Sequence, residues 1–252
     1  ERMGVLTFPE VIIRSSNVGA VQVARRLAST DFYRTIRSFG IGERTGIDLP
    51  AEDSGRVWPV EKWNKLSSVP HIAIGYELRT TALQVLMAMD VYATRGKLVR
   101  PRLVKECTSP QGSRVTNAAP PQRILDAQIA ENFVTKALEK VVERGTAKAG
   151  RLEEFKIAGK TGTSQIYDSA SKAYTSAKHV ASFTGFVPSE RPALTMIVVL
   201  ADPKGGFYYG GEVCAPIFRD IALQTLRYLH VAPEIPAEDV SAATADKRKS
   251  GE

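Results

Sequence analysis

The sequence predicts an α+β fold, sandwich-like, in which an antiparallel sheet is covered by helices. Three observations lead there. Strand patterns follow one another over residues 155–165, 179–187 and 194–201, with helical patterns before and after them. The composition is that of an ordinary globular chain, 43% hydrophobic and 24% charged over 252 residues, enough to bury a core. The strongest apolar run, 193–201, is nine residues long and contains Thr195, against about 20 for a membrane-spanning helix.

Each element has its own signal. The first fifteen residues show neither a cap nor a turn. Ser15-Ser16-Asn17 then precedes a helical pattern with Val18, Val21, Ala24, Leu27 and Ala28 on one face and Gln22, Arg25 and Arg26 on the other. A serine or asparagine there can cap that helix. Residues 40–50 are rich in glycine and polar side chains and read as a loop. Thr80-Thr81 opens a second helix to about Ala93, apolar nearly all round (Leu83, Val85, Leu86, Met87, Met89, Val91), which belongs in the core; Gly96 stops it. Residues 98–106 and 114–115 look like short strands around a turn at 109–112.

Asp126 caps a third helix to about Arg144. Its stripe Ile129, Phe133, Ala137 and Val141 lies beside Ala130, Val134, Leu138 and Val142, and Gly145 ends it. The polar stretch 166–178 turns the chain between the first two strands. Pro216 fits the first turn of a last helix with Phe218, Ile221, Ala222 and Leu229 inward. From Pro233 the composition shifts to Pro, Ala, Glu, Asp and Lys. Residues 1–232 are therefore the folded portion and 233–252 a disordered tail.

The charge balance is +7. The basic residues are spread thinly, at 25–26, 100–105 and 247–249, with no aromatic interleaving, which argues against a nucleic-acid partner. Cys107 and Cys214 form no CxxC and no histidine stands at metal spacing beside them, so free buried thiols are expected and no metal site. His71, His179 and His230 are isolated and read as structural.

Two short motifs carry chemistry. Gly159-Lys160-Thr161 has the ending of a phosphate-binding loop, but Glu154 or Phe155 stands where that loop needs a glycine, and Gly162-Thr163-Ser164 does not start a helix. The other reading of Lys160-Thr161-Gly162-Thr163 is a strand. Lys160 offers a cation to a carboxylate or to a nucleophile's proton network, and Thr161 and Thr163 add hydroxyls. Gly162 leaves room for an extended peptide to lie against the backbone. By itself such a string is also what a plain glycine-containing edge strand looks like. Ser15-Ser16-Asn17 offers a hydroxyl for proton transfer and an amide to orient a carbonyl; by itself it is a helix cap. In this order, S-x-N then K-T-G, the two are elements of the penicillin-recognising serine enzymes.

From these residues the chain resembles the C-terminal part of the transpeptidase domain of a class B, monofunctional penicillin-binding protein. The likeness extends over Phe39-Gly40-Ile41-Gly42-Glu43-Arg44-Thr45-Gly46-Ile47-Asp48-Leu49-Pro50, over Ile74-Gly75-Tyr76 with Thr80-Thr81-Ala82-Leu83-Gln84 and Tyr92-Ala93, over Val180-Ala181-Ser182-Phe183-Thr184-Gly185-Phe186, and over Tyr208-Tyr209-Gly210-Gly211 with Ala215-Pro216-Ile217-Phe218. The last two segments look most like the division- and sporulation-specific members.

The resemblance implies a penicilloyl-serine transferase fold, incomplete at the N-terminus, and acyl transfer from stem peptides ending in D-Ala-D-Ala. It implies that Ser15 relays protons, that Asn17 holds the substrate amide, and that Lys160 tunes the proton network and the carboxylate field. Thr161 and Thr163 would hold the terminal carboxylate beside Gly162, with the Thr163 N–H as half of an oxyanion hole. The implied partners are the peptidoglycan stem peptide, β-lactams, a cell-wall glycosyltransferase and division proteins; no cofactor is implied. The implied place is the extracytoplasmic face of the cytoplasmic membrane, held by an N-terminal anchor outside this chain.

One element departs from the pattern. The nucleophile belongs to an S-x-x-K element upstream of S-x-N, and the one match in the chain, Ser169-Ala170-Ser171-Lys172, lies after K-T-G in a polar turn. A partial chain without the acyl-accepting serine is expected, with apolar surface exposed near residues 83–91 and low solubility. The competing readings are a non-catalytic pseudoenzyme that binds wall peptide or division partners, and a serine β-lactamase. A β-lactamase would need a glutamate-bearing loop for the hydrolytic water, and none is recognisable between Ser15 and Lys160.

Overall fold

A computed structural model describes residues 3–110, 112–115, 119–168 and 173–235. The chain divides into two compact units, Glu1–Phe133 and Val134–Glu252.

The first unit is mostly helical. Helix α1 (Phe8–Ile13) starts at an extended Thr7 with proline in its first turn, a start not read from the sequence. Ser15 ends it at φ 54°. The Ser15 N–H donates to the Ile12 carbonyl at 3.1 Å and the Ser16 N–H to the Val11 carbonyl at 2.9 Å. This is a Schellman end with serine in the left-handed position that glycine usually takes. Helix α2 (Asn17–Ala24) follows at once, and the Ser16 hydroxyl accepts the Gly19 N–H at 3.2 Å as its cap.

The predicted inward face of residues 18–28 is not observed. The helix stops at Ala24, and Val18 is 74% exposed. Helix α3 (Ser29–Ser38), also unread, sets Phe32 and Tyr33 edge-on to Trp63, at 6.2 and 6.1 Å. Strand β1 (Arg56–Val57) pairs antiparallel with β2 (Leu78–Arg79), on either side of α4 (Ser68–Ala73) in sequence.

Helix α5 (Ala82–Ala93) has the predicted extent. A capping box fixes its start: Thr81 accepts the Gln84 N–H, and the Gln84 side chain accepts the Thr81 N–H. Gln84 is 1% exposed, and its amide also donates to the Glu43 and Ser54 carbonyls at 2.6 and 2.8 Å. This buried amide thereby ties the long loop to α5 with its polar groups satisfied. An apolar groove of about 480 Å³ lies beside α5, lined by Phe32, Ile36, Phe39, Leu78 and Met89 among others.

The strand expected at 98–106 is broken in two. Strand β3 (Lys97–Leu98) pairs with a later segment, and β4 (Glu106–Ser109) pairs with β5 (Gly112–Val115). Pro101 has no N–H to give to a ladder between them. Strand β6 (Gln122–Arg123) is the partner of β3. Helix α6 (Ala127–Phe133) is capped by Asp126, whose carboxylate accepts the N–H groups of Gln128 and Ile129 at 2.9 and 3.1 Å. Tyr92 packs on Phe133 at 5.0 Å.

The second unit opens with π-helical turns, Val134–Leu138, and α7 (Glu139–Glu143). The single α-helix expected over 126–144 is thus interrupted. The wider turn spreads the two adjacent stripes, and Val134, Ala137, Leu138, Val141 and Val142 are all buried. Three antiparallel strands follow, β7 (Ala158–Asp168), β8 (Ala173–Val187) and β9 (Leu194–Ala201), in the order β7-β8-β9.

β7 begins three residues later than expected, and both hairpin arms run into the stretch read as a turn. A register shift between Gln165 and Ile166 lets pairing resume at Ile166 with Thr175. Helices α8 (Gly210–Val213) and α9 (Ala215–Tyr228) complete the unit, with proline in the first turn of α9 as predicted. Phe183 of β8 stands edge-on to Phe218 of α9 at 4.9 Å, a pair whose burial contributes about 1.5–3 kcal/mol per ring. The inward stripe of α9 is Phe218, Ala222 and Leu226; Ile221 and Leu229 turn outward, contrary to expectation, because the i, i+4, i+8 line from Phe218 misses them.

The reading of the tail needs correction at its start. Glu234 and Ile235 donate backbone N–H groups to the Glu154 carbonyl, both at 3.1 Å. The Glu234 carboxylate accepts the N–H of Lys156 at 2.8 Å and of Glu190 at 3.3 Å. Residues 233–235 are therefore tied down, and residues 236–252 lie outside the described residues. Both cysteines are free thiols, but only Cys214 is buried; Cys107 is exposed on β4.

Candidate active site

The predicted residues fall into two groups, one in each unit. In the first unit, Ser15 and Asn17 flank the joint between α1 and α2. The Schellman end presents Ser15, and the Ser16 cap fixes Asn17 as the first residue of α2. Both line a cavity of about 840 Å³ together with Met3, Leu6, Gln22 and Arg26. Ser16, the residue between them, does the capping. The capping role and the candidate chemical roles thus fall on different residues of the triplet.

In the second unit, Lys160, Thr161, Gly162 and Thr163 lie on β7, an edge strand of the sheet formed by the described residues. On an edge strand every second residue turns its N–H and C=O away from the neighbouring strand, where an added strand can pair with them. The stretch is held in register opposite Thr184, Phe183, Ser182 and Ala181 of β8. Just before it, a Cβ at Gly159 would lie 2.5 Å from the Phe183 ring and 2.7 Å from the Thr184 carbonyl. At Gly162 a Cβ would meet the Ser182 hydroxyl at 2.5 Å.

The Lys160 amine donates to the Thr161 carbonyl at 2.9 Å and to the Thr161 hydroxyl at 3.3 Å. Burial pulls its pKa down from 10.5 to about 8, because desolvation disfavours the ammonium. At pH 7 roughly a tenth of such a lysine is neutral. The group can therefore exchange a proton at neutral pH, and its charged form can face a carboxylate. Thr163 accepts the N–H of Gly210, at the start of α8, at 3.2 Å. The Thr161 hydroxyl also lies 2.7 Å from the Thr146 hydroxyl. Thr146 is not singled out by the sequence, since this contact joins residues fifteen positions apart.

His71 Nδ1 lies 2.6 Å from the Glu77 carboxylate, and the His179 ring stacks on Tyr208 at 4.1 Å. The S-x-x-K match at 169–172 lies outside the described residues. Among the described residues no group of His, Cys, Asp and Glu could hold a metal ion, and no helix is long and apolar enough to cross a membrane.

Residues 1–223 match the family model of the penicillin binding protein transpeptidase domain. The chain is 32% identical over 234 residues to Stage V sporulation protein D of Bacillus subtilis, covering 91% of this chain and 35% of that protein. It is 32% identical over 225 residues to penicillin-binding protein PbpB of Mycobacterium tuberculosis, covering 86% and 33%. With the probable peptidoglycan D,D-transpeptidase PbpC of Pseudomonas aeruginosa it shares 31% over 252 residues, covering 99% and 42%.

Among solved structures, penicillin-binding protein 3 of Mycobacterium tuberculosis, complexed with aztreonam, superposes with a TM-score of 0.82 at 28% identity, over 91% of this chain and 53% of that one. The apo transpeptidase domain of penicillin-binding protein 3 from Burkholderia pseudomallei gives 0.80 at 28% identity, over 93% and 68%. The chain spans about a third of the length of the first two relatives. An S-x-N corner followed by a K-T-G edge strand, in a chain matched along most of its length, makes it a member of the penicillin-binding protein transpeptidase domain family, of the class B type.

Proposed function

We propose that this chain is the C-terminal portion of a peptidoglycan D,D-transpeptidase. The observation that carries the reading is the half-buried Lys160 on an edge strand, its amine on the carbonyl and hydroxyl of Thr161, with Gly162 and Thr163 next along the same strand. A stem peptide ending in D-Ala-D-Ala adds as a strand along β7. Its terminal carboxylate meets Thr161, Thr163 and the Lys160 charge, and the Thr163 N–H faces the reacting carbonyl oxygen.

A serine of an S-x-x-K element, encoded outside these 252 residues, attacks the penultimate carbonyl carbon. Its proton goes to the departing D-Ala nitrogen with Ser15 as the relay; Lys160 tunes the proton network and Asn17 orients the peptide amide. An amine of a neighbouring stem then displaces the serine and closes the cross-link. A β-lactam takes the substrate's place and stays on the serine. The names of the relatives and the aztreonam complex of a neighbour support that ligand class.

The reading also places the protein on the extracytoplasmic face of the cytoplasmic membrane, beside a cell-wall glycosyltransferase and division proteins. It takes residues 1–235 as the working part of the domain, since Glu234 and Ile235 bond to Glu154, Lys156 and Glu190.

Intact mass after incubation of the full encoded protein with benzylpenicillin tests the reading. One covalent adduct on a serine upstream of Ser15, its formation slowed about a thousandfold by Lys160→Ala, is the expected outcome. A folded protein that takes no adduct would leave a non-catalytic wall-peptide binder in its place.

A further inference from the structure

We infer that Thr146 is a positioning residue for the carboxylate-binding hydroxyl of Thr161, an inference that rests on the transpeptidase reading above. Thr146 sits in the turn after α7, beside a buried Ala147 whose N–H donates to the Val141 carbonyl at 3.0 Å. On its other side the Thr146 carbonyl faces Gly211 of α8, where any Cβ would run into it. The backbone of Thr146 is thus pinned between a buried turn and a helix start, and its hydroxyl meets the Thr161 hydroxyl at 2.7 Å.

Hydrogen counting gives this contact its meaning. A hydroxyl has two acceptor sites and one hydrogen. The Lys160 amine, a donor, takes one acceptor site of Thr161 at 3.3 Å. If Thr146 donates to the other, both acceptor sites are filled, and the Thr161 hydrogen has to point elsewhere. It is then available to an arriving carboxylate, which can only accept. Without the Thr146 donor, only Lys160 restrains the Thr161 hydroxyl, and its hydrogen has to be ordered when the ligand binds. Thr146 fixes the direction of a hydrogen and need not touch the ligand itself.

The test compares acylation rates of the full encoded protein by benzylpenicillin and by its methyl ester, which lacks the anionic carboxylate. Thr146→Val, isosteric but without a donor, is expected to slow acylation by the free acid about three- to tenfold and to leave the ester rate within twofold, because one hydrogen bond is at stake. Thr146→Ser is expected to restore the acid rate. Equal slowing of acid and ester, or no slowing of either, overturns the inference while the wild-type adduct upholds the transpeptidase reading. Absence of any adduct on the wild-type protein removes both.

Discussion

Ser15 sits at φ 54° in the joint between helices of six and eight residues; Lys160 lies on a strand of eleven residues paired with its neighbour from end to end. Helices that short have little stability of their own, so the first group depends on the packing of Val11, Ile13 and Ala24, a Schellman end and one cap. The second group is held by ladder hydrogen bonds and by glycines whose Cβ would run into β8. The strand is thus built before any ligand arrives, as electrostatic stabilisation of a reacting centre requires. The serine corner instead holds its backbone in a conformation that costs serine about 1–2 kcal/mol.

The contrast can be broken most forcefully at Gly159. Its alanine variant puts a methyl against the Phe183 ring and the Thr184 carbonyl, and neither can retreat. Hydrogen exchange of the β7 amides is expected to show about 3 kcal/mol less protection. An unchanged pattern would show that β7 does not depend on the close approach at Gly159.

The charge state of Lys160 gives the next test. Its folded pKa is lowered to about 8 from 10.5, so between those values the folded state binds fewer protons than the unfolded one. Stability therefore rises with pH across that window, and the burial penalty is fully present below about 8. The wild-type unfolding midpoint is expected to gain on that of Lys160→Met between pH 8 and 10; parallel curves would show that the amine is solvated.

Removing the cap with Ser16→Ala is expected to cost about 1 kcal/mol. The loss should be confined to the exchange of α2 amides and leave β7 untouched. A loss that spread to β7 would erase the contrast. Ser15→Gly sharpens it in the other direction. Glycine accepts a positive φ freely, so stability is expected to rise by about 0.5 kcal/mol while acylation by benzylpenicillin falls. A variant that was both more stable and fully active would remove Ser15 from the proton path.

What could be read beforehand followed from local chemistry. The extent of α5 was legible because Thr81 and Gln84 stand at capping-box spacing and the apolar run between Leu83 and Val91 has no competitor. β9 was legible because its run is unbroken and β-branched. Lys160 was legible through its motif, and the predicted strand there was shifted by three residues at each end. What escaped depends on distant partners or on geometry without a period. The π turns at Val134–Leu138 have no spacing of their own in the sequence. Thr146 is marked only by a contact across fifteen positions. Glu234 sits in a Pro- and Glu-rich stretch whose composition matches a solvated tail, yet its carboxylate meets two backbone N–H groups.

The Glu234 contacts also set how short a working version of this polypeptide can be. Helix α9 closes at Tyr228, the place where a designer trimming to secondary structure would cut. Yet the seam that joins the approach to β7 with the β8–β9 corner is sewn by residues 234 and 235, through four backbone N–H groups. A cut at the helix end would unstitch that seam four residues upstream of Lys160, at Lys156, and leave every residue of the motif in place but the approach to its strand untied.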